Sequence, residues 1–253
     1  HTGLDDHSFE QHIDKSDPND VISFIYTSGT TGNPKAGMIT NSNVISSIQH
    51  LPKILDITQK DLTVAYLPLA HIAERLLGHF LKLVYGNQTA FAESIEDMPN
   101  NIRQVGPSIL FGTPRVFEKF YAKIATGISD ASWIQKKIYH WAIGIGKEIS
   151  IAKRSNSFFL KLKVWLAKYL IYNKIKDIFG GRIRYMISGA APISPKILNF
   201  FKWMNITILE GYGMTETTGI ISINLPHAVK IGSVGKPYPN TKVKIAEDGE
   251  ICV

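Results

Sequence analysis

Short runs of β-branched and aromatic residues alternate along the chain with longer stretches in which apolar residues recur at helical spacing. The apolar runs predict short buried strands at residues 21–26, 62–67, 89–92, 108–111, 182–188 and 206–209. The helical spacing predicts helices at residues 41–50, 71–85, 114–126, 132–153, 157–179 and 194–203. Because strands and helices alternate, we expect an α/β fold in which helices cover a mostly parallel sheet.

The two ends of the chain differ from this pattern. Residues 1–17 form a polar lead-in, and residues 18–241 contain the alternating α/β domain. At residues 242–253, two short apolar runs flank Asp248 and Gly249, which predicts a β-hairpin whose second strand stops as soon as it begins. The chain also starts without methionine, so we expect it to be cut at both ends.

Composition narrows the class of protein. The chain has 253 residues, of which 44% are hydrophobic and 19% are charged, and this excludes a disordered chain. Its one cysteine, Cys252, excludes an intramolecular disulfide framework and a cysteine-based zinc site. No apolar stretch is long enough to span a membrane, and no secretion signal is readable. These features predict a cytoplasmic protein.

The net charge of +7 comes from one segment. Residues 150–176 contain seven basic residues and no acidic residue, while the other 21 basic residues balance 21 acidic ones. We keep two interpretations of this segment open, a solvated basic face and a peripheral contact with anionic membrane lipid. Its weak amphipathicity argues against the lipid contact. The local charge, with no accompanying recognition motif, does not predict a nucleic-acid partner.

The loop that follows the first predicted strand has the composition of a phosphate-binding loop. Its glycines let backbone N–H groups approach an anion, its hydroxyls donate further hydrogen bonds, and its lysine carries a mobile positive charge. The residues concerned are Thr27, Ser28, Gly29, Thr30, Thr31, Gly32 and Lys35. The loop is not a Walker A motif, because Pro34 precedes the lysine and Ala36 follows it. The alternative is a polar surface turn.

Five motifs in a fixed order resemble the adenylate-forming enzymes, a family that includes acyl-CoA synthetases, luciferases and peptide-synthetase adenylation domains. They are the loop at 27–35, LPLAHIAER at 67–75, SGAAP at 188–192, GYGMTET at 211–217 and GSVGKP at 232–237. Three segments resemble long-chain fatty acyl-CoA synthetases most, at 67–75, 114–119 and 179–182. The helical stretch at 121–179 resembles the insertion of those enzymes.

The resemblance implies a reaction. A fatty acid reacts with ATP and Mg²⁺ to give an acyl-adenylate and pyrophosphate, and the acyl group then passes to the thiol of coenzyme A. The resemblance also implies a mobile C-terminal domain beyond Val253, so we expect an inner part of the large N-terminal domain that is inactive by itself and self-associates. Two alternatives stay open: a ligase for another carboxylic acid, and a non-catalytic nucleotide-binding or membrane-surface module.

The resemblance also assigns roles to residues. The loop from Thr27 to Lys35 would hold the β- and γ-phosphates, Thr215 the α-phosphate, Glu216 the Mg²⁺ ion, and His71 the substrate carboxylate. ATP would also contact Gly189, Ala190, Ala191, Gly211, Tyr212 and Gly213. Each has a plainer alternative: a surface carboxylate for Glu216, a capping role for His71, and a tight turn for the small residues.

Two features of the sequence remained undecided. Phe111, Phe117 and Trp203 are candidates for lining the acyl tail, and the sequence does not choose among them. Ala36 and Asn41 stand where the family pattern commonly has Gly and His. Ala36 casts doubt on the loop conformation, because alanine tolerates a positive φ poorly.

Overall fold

The computed structural model describes residues 6–27, 33–151 and 158–253. Its α-helices are α1 (Asp6–Asp14), α2 (Asn41–Ile48), α3 (Leu51–Leu55), α4 (Leu81–Tyr85), α5 (Met98–Val105), α6 (Pro114–Ser129), α7 (Trp133–Ile151), α8 (Phe158–Ala167), α9 (Asn173–Asp177) and α10 (Pro195–Trp203). Its strands are β1 (Val21–Thr27), β2 (Lys35–Thr40), β3 (Leu62–Ala65), β4 (Gln88–Phe91), β5 (Ile109–Gly112), β6 (Tyr185–Ser188), β7 (Thr207–Met214), β8 (Gly219–Ile223), β9 (Lys236–Pro237), β10 (Lys244–Ile245) and β11 (Ile251–Cys252). The α/β prediction is confirmed.

A five-stranded sheet in the order β5-β6-β7-β8-β9 forms the centre of the molecule. β5, β6 and β7 run parallel, whereas β8 pairs antiparallel with β7, and β9 antiparallel with β8. β3 and β4 form a parallel pair beside β5, and the backbone N–H of Ser108 joins the two pieces by donating to Leu62 O at 2.9 Å. The carboxyl ends of the parallel strands therefore meet at one edge.

The register of the parallel strands divides the core into two clusters. Leu110, Met186 and Ile208 are neighbours across β5, β6 and β7, and they pack with α6, α7 and α10 on one face. Ile187 and Leu209 face the opposite cluster, which contains residues of β1, β2, α2 and α3. Both faces are covered, which explains why the apolar runs Ile109–Phe111 and Tyr185–Ile187 are continuous rather than alternating.

The region after β1 differs from the prediction of a loop at 27–37 followed by a helix. Residues 35–40 form β2, which pairs antiparallel with β1, so that Thr27 lies opposite Lys35. The periodicity missed this strand because its six residues, KAGMIT, are not an apolar run. Ala36 has an extended backbone opposite Tyr26, which removes the doubt about its φ angle.

Several other elements also differ from the predicted boundaries. β7 continues through the expected glycine-rich loop as far as Met214, since β8, which was not predicted, supplies a partner. The helix expected at 71–85 is π-helical over Glu74–Phe80, and the one expected at 157–179 is π-helical over Lys168–Tyr172. α1 lies inside the polar lead-in. No helix of the described residues is long and apolar enough to cross a membrane.

A buried carboxylate joins the starts of β3, β5 and β6. Asp61 accepts hydrogen bonds from Ser108 Oγ at 2.6 Å and from the Thr58 backbone N–H at 2.8 Å. Arg184 Nη2 lies 2.9 Å from both oxygens of the same carboxylate. Burial opposes the charge of Asp61, but these hydrogen bonds and the Arg184 guanidinium outweigh it and hold the Asp61 pKa below its usual value.

Candidate functional site

An open cleft lies at the carboxyl ends of β6 and β7. Its cavity volume is about 80 Å³, and its walls come from segments that are far apart in the sequence. The segment that begins at His71 forms one wall, and the residues after β6 and the glycine-rich end of β7 form the other. Carboxyl ends of parallel strands are where open α/β sheets bind ligands. The lining includes His71, Ile72, Leu76, Phe111, Gly189, Ala190, Gly211, Tyr212 and Gly213.

Local hydrogen bonds to the backbone of neighbouring residues position His71 in a turn. Its N–H donates to Pro68 O at 2.8 Å, and its Nδ1 accepts the Ala73 N–H at 3.2 Å. With Nδ1 as an acceptor, the neutral ring carries its proton on Nε2. Burial lowers the His71 pKa, which favours this neutral form near pH 7. The side chain is therefore a hydrogen-bond donor through Nε2.

A buried glutamate holds the strand end that precedes His71. The Glu74 carboxylate accepts the backbone N–H groups of Leu67 at 3.1 Å and of Tyr66 at 3.4 Å. Burial raises the Glu74 pKa, despite those bonds and the nearby Lys82. Burial also lowers the Lys82 pKa to about 8, and Lys82 Nζ donates to Gly78 O. The resemblance did not assign a role to Glu74, although its place three residues after His71 was visible.

The residues predicted to contact the nucleotide base lie on two neighbouring strand ends. Ala190 has φ +69°, a left-handed conformation that costs a non-glycine residue of the order of 1–3 kcal/mol. Such strain is common at ligand sites. At Gly213 a Cβ atom would lie 1.5 Å from Gly219 O, so the approach of β8 requires glycine there whether or not a ligand binds. The ring of Tyr212 borders the cleft.

Thr215 and Glu216 follow β7 on a single 3₁₀ turn, Thr215–Thr217. A Cβ atom on Gly37 would lie 3.3 Å from Thr215 Cγ2, so β2 packs directly beside Thr215. The backbone of the hairpin that carries Thr27 and Lys35 is thus adjacent to this turn. Glu216 is exposed, and neither residue lines the cleft itself.

Not every predicted residue is found at the cleft. Ser28, Gly29, Thr30, Thr31 and Gly32, which follow β1 in the sequence, lie outside the described residues. Ala191 is exposed and does not line the cleft.

The three aromatic candidates for the acyl tail separate clearly in the structure. Phe111 borders the cleft, whereas Phe117 is fully buried in the cluster on the opposite face of the sheet, against which Trp203 packs. The sequence does not distinguish these three aromatic residues. The register of β5 decides which face of the sheet Phe111 occupies.

A second, inner cavity of about 30 Å³ shares a wall with the cleft. Ala73, Leu77, Phe111 and Ile187 border both spaces, and the inner walls are mostly apolar. Its apolar lining continues with Leu55, Ile57, Val64, Leu81 and Ile109. Sequence reasoning missed Leu77 and this space, because a leucine on a helix gives no sign of which cavity it borders.

The described residues could hold a nucleotide and a metal ion in the following way. Ser188 and Ser222 both line the cleft, and their buried hydroxyls have no hydrogen-bond partner within the described residues. Buried hydroxyls are normally paired, so a ligand or ordered water is the expected partner. The described residues contain no group of three or more His, Cys, Asp or Glu side chains that could hold a metal ion. A single carboxylate such as Glu216 suits Mg²⁺, which commonly binds through substrate phosphates.

Comparison with known proteins agrees with these motifs. A family model described as AMP-binding enzyme matches residues 2–253. The chain belongs to the AMP-binding enzyme family. Among its relatives in this family, the long-chain-fatty-acid–CoA ligase ACSBG2 of Xenopus laevis is 34% identical over 250 residues, covering 96% of this chain and 34% of the relative. Fatty acyl-CoA synthetase A of Dictyostelium discoideum is 30% identical over 236 residues, covering 92% and 34%.

Solved structures agree on the fold of this AMP-binding family member. The o-succinylbenzoate CoA synthetase of Bacillus subtilis, in complex with its acyl-adenylate intermediate, has a TM-score of 0.64 at 21% identity. The match covers 94% of this chain and 39% of the synthetase chain. Apo MatB of Rhodopseudomonas palustris also gives 0.64, at 18% identity, with 94% and 38% covered. The chain therefore spans about a third of the length of the curated relatives it matches.

Proposed function

We propose that this chain forms part of an ATP-dependent fatty acid–CoA ligase. In that reaction a fatty acid carboxylate attacks the α-phosphate of Mg·ATP to give an acyl-adenylate and pyrophosphate, and coenzyme A then accepts the acyl group. One observation carries the proposal: segments around residues 71, 189 and 212, which resemble three family motifs, line one cleft. The names of the relatives support fatty acids and coenzyme A as substrates.

The nucleotide would occupy the sheet edge between the hairpin and the cleft. Tyr212 offers a ring that can stack on adenine, and Ala190 has a side chain small enough to leave room beside it. Thr215, packed beside β2, would contact the α-phosphate. Lys35 and the motif residues from Thr27 to Gly32 would hold the departing pyrophosphate. Glu216 would bind Mg²⁺, which supplies charge neutralisation to the phosphates.

His71 would orient the carboxylate of the fatty acid. Its Nδ1 is already engaged with the Ala73 N–H, which leaves the Nε2 proton for a carboxylate oxygen. A neutral donor can position the nucleophile without pairing with its charge, and so preserves its reactivity toward phosphorus. The lowered pKa of His71 supports this neutral role.

The acyl tail would lie along the apolar wall that the cleft shares with the inner cavity. Leu77 and Phe111 border both spaces, and a hydrocarbon chain gains free energy with each buried methylene, about 0.8 kcal/mol. A preference for long chains is therefore part of the proposal. Medium-chain, aromatic and amino acids would need only the outer cleft.

Calorimetric binding of Mg·ATP to the 253-residue chain tests the nucleotide site. We expect Glu216→Ala to weaken Mg²⁺-dependent binding of ATP at least tenfold. Loss of a residue that only hydrogen-bonds to a metal ligand already lowers metal affinity by roughly that factor. Glu96→Ala removes another exposed carboxylate, in the segment before α5, and is the matched control. Equal affinity of wild type and Glu216→Ala, with and without Mg²⁺, would contradict the metal role.

Non-hydrolysable acyl-adenylate mimics with tails from acetyl to palmitoyl test the acid. We expect affinity to rise steeply with tail length, and Leu77→Trp to abolish the gain for the longest tails while sparing acetyl-adenylate. His71→Ala should weaken the binding of palmitate in the presence of Mg·ATP and leave the binding of Mg·ATP unchanged. Equal affinity for all tails would favour a ligase for another acid. A chain that binds Mg·ATP but none of the acyl-adenylate mimics would favour a non-catalytic nucleotide module.

A further inference from the structure

The helical segment from α8 to α9 has two apolar faces instead of one. Ala167, Tyr172 and Ile175 are buried in the core cluster that also contains α7. The Tyr172 hydroxyl donates to Ala142 O at 2.7 Å and fastens this face to α7. An apolar face that is buried in the protein's own core is not available to any partner, so the other face decides how this segment meets its surroundings.

The opposite face carries an aromatic stripe, which we define as Phe158, Leu162, Trp165 and Tyr169. Phe158, Leu162 and Trp165 follow one another in α8 at intervals of four and three residues, the spacing of a single helix face, and Tyr169 lies four residues further, in the π-helical stretch. Phe158 is 74% exposed, Trp165 61% and Tyr169 69%. The rings of Trp165 and Tyr169 stack, with centroids 6.3 Å apart and planes inclined by 11°. At 100° per residue, Ala167 lies roughly half a turn away.

This arrangement explains the weak amphipathicity of the sequence. Apolar residues on opposite sides of a helix cancel in any measure of one-sidedness, although each side is distinctly apolar. Weak amphipathicity of this segment is therefore compatible with a lipid contact. Burial, which only the tertiary structure provides, separates the face that packs inward from the face that remains open.

Lysines border the aromatic stripe. Lys161 and Lys168 lie along one edge, and Lys163 lies on the other side beyond Phe159, which is itself 73% exposed. Within the described part of the chain, ion pairs of at most 4.0 Å are formed only by Arg184, so none of the three lysines has one. Residues 158–176 contain no acidic residue. The surface is thus aromatic at its centre and positive along its borders.

We propose that the aromatic stripe and its bordering lysines bind the surface of an anionic membrane. Tryptophan, tyrosine and phenylalanine are the side chains that enter the headgroup region, and lysine stems extend along apolar surface while their charges reach lipid phosphates. An exposed helical face with no acidic residue from 158 to 176 matches a negatively charged surface. Residues 152–157, which contain two further basic residues, lie outside the described part and are not needed for this contact.

Vesicle co-sedimentation of the 253-residue chain tests this contact. We expect binding to phosphatidylcholine vesicles that contain phosphatidylglycerol, weaker binding to phosphatidylcholine alone, and a decrease with added salt. Lys161→Gln/Lys168→Gln should lower the partition coefficient about 25-fold, since each lysine near such a surface contributes roughly fivefold. Lys53→Gln/Lys60→Gln removes the same charge from exposed sites elsewhere and should have little effect.

The apolar part of the contact has its own variants. Phe158→Ser/Trp165→Ser should reduce vesicle binding at least tenfold, whereas Phe91→Ser, at an equally exposed phenylalanine of β4, should not. Wild type should show a blue-shifted tryptophan emission with vesicles, and Trp165→Phe should lose it. Unfolding curves of all variants should match wild type because the changed side chains are exposed.

Three results would overturn the proposal. They are absence of binding to the anionic vesicles, equal loss of binding in Phe91→Ser and in the stripe variant, and a wild-type dimer in light scattering that Phe158→Ser/Trp165→Ser converts to monomer. The last result would assign the aromatic stripe to a second copy of the chain.

Discussion

Glu74 illustrates how one buried residue can support a site without touching a ligand. Its carboxylate accepts the N–H groups of Tyr66 and Leu67, which follow β3 and lead to His71. A Cβ atom on Gly78 would lie 1.8 Å from Glu74 Oε1, so the carboxylate lies directly over that glycine. The position of His71 therefore depends on a carboxylate kept inside the protein at some cost in desolvation.

Replacing Glu74 should separate its hydrogen bonds from its charge. Glu74→Ala leaves two backbone donors without an acceptor and should lower the free energy of unfolding by about 2 kcal/mol. Glu74→Gln keeps an acceptor oxygen and should cost less.

The two Glu74 variants should also differ in pH dependence. Because the folded pKa of Glu74 is raised above its ordinary 4.5, the folded state binds this proton more tightly, and wild-type stability declines as pH rises from that value through the raised pKa. Urea unfolding at several pH values measures the decline, which should be absent in Glu74→Gln. A Glu74→Gln profile that falls as steeply as wild type would contradict this assignment.

At the scale of elements, a polar clamp fixes how the separate sheet pieces meet. Asp61 precedes β3, Ser108 precedes β5 and Arg184 precedes β6, and the side chains of Ser108 and Arg184 both donate to the Asp61 carboxylate. The backbone hydrogen bond at this junction runs from the Ser108 N–H, just before β5, to Leu62 O in β3. The clamp therefore reinforces this junction at the point where the inner cavity is bounded by both strands.

Removing the Asp61 carboxylate should weaken this junction. Asp61→Ala should lower the free energy of unfolding by about 3 kcal/mol, because it leaves Arg184 and two hydrogen-bond donors without their partner. Since the folded pKa of Asp61 is below its ordinary 3.8, its stabilisation is present above that value and is lost as pH falls through the folded pKa. Urea midpoints between neutral and acid pH measure the effect, and Asp56→Ala, at an exposed carboxylate near the same arginine, is the control.

For the whole molecule, the distribution of exposed apolar surface is unequal. The outer face of the β1–β2 hairpin shows Phe24 at 57%, Tyr26 at 71% and Met38 at 65% exposure, and Phe24 and Met38 are cross-strand neighbours. Unlike the aromatic stripe, these residues form a flat two-stranded surface. Flat apolar strands are prone to pair with another chain.

We expect the isolated chain to self-associate through this hairpin face. Phe24→Ser/Met38→Ser should shift the population toward monomer in light scattering, since it removes the centre of the apolar surface. Phe91→Ser changes an exposed phenylalanine of β4 and is the control for a general gain in solubility. A wild-type chain that is monodisperse and monomeric at all concentrations would disprove the expectation.

Local patterns predicted the strands that are buried on both faces. β6 lies within a predicted run, β5 overlaps one over Ile109–Phe111, and α6 begins at the predicted Pro114, because burial of apolar runs and proline at a helix start are local signals. β2 and β8 were missed because their partners, β1 and β7, decide that they are strands. The alternation of apolar runs was therefore sufficient for the fold class and insufficient for the pairs β1–β2 and β7–β8.

The sequence by itself determined the motif order, the family and the residue types available for phosphate, metal and carboxylate, since those depend on identity along the chain. The tertiary structure alone decided that Phe111 borders the cleft while Phe117 is core, that Leu77 borders a second cavity, and that α8 has two apolar faces. The physical reason is that burial and juxtaposition depend on packing between segments far apart in sequence, which no local periodicity encodes.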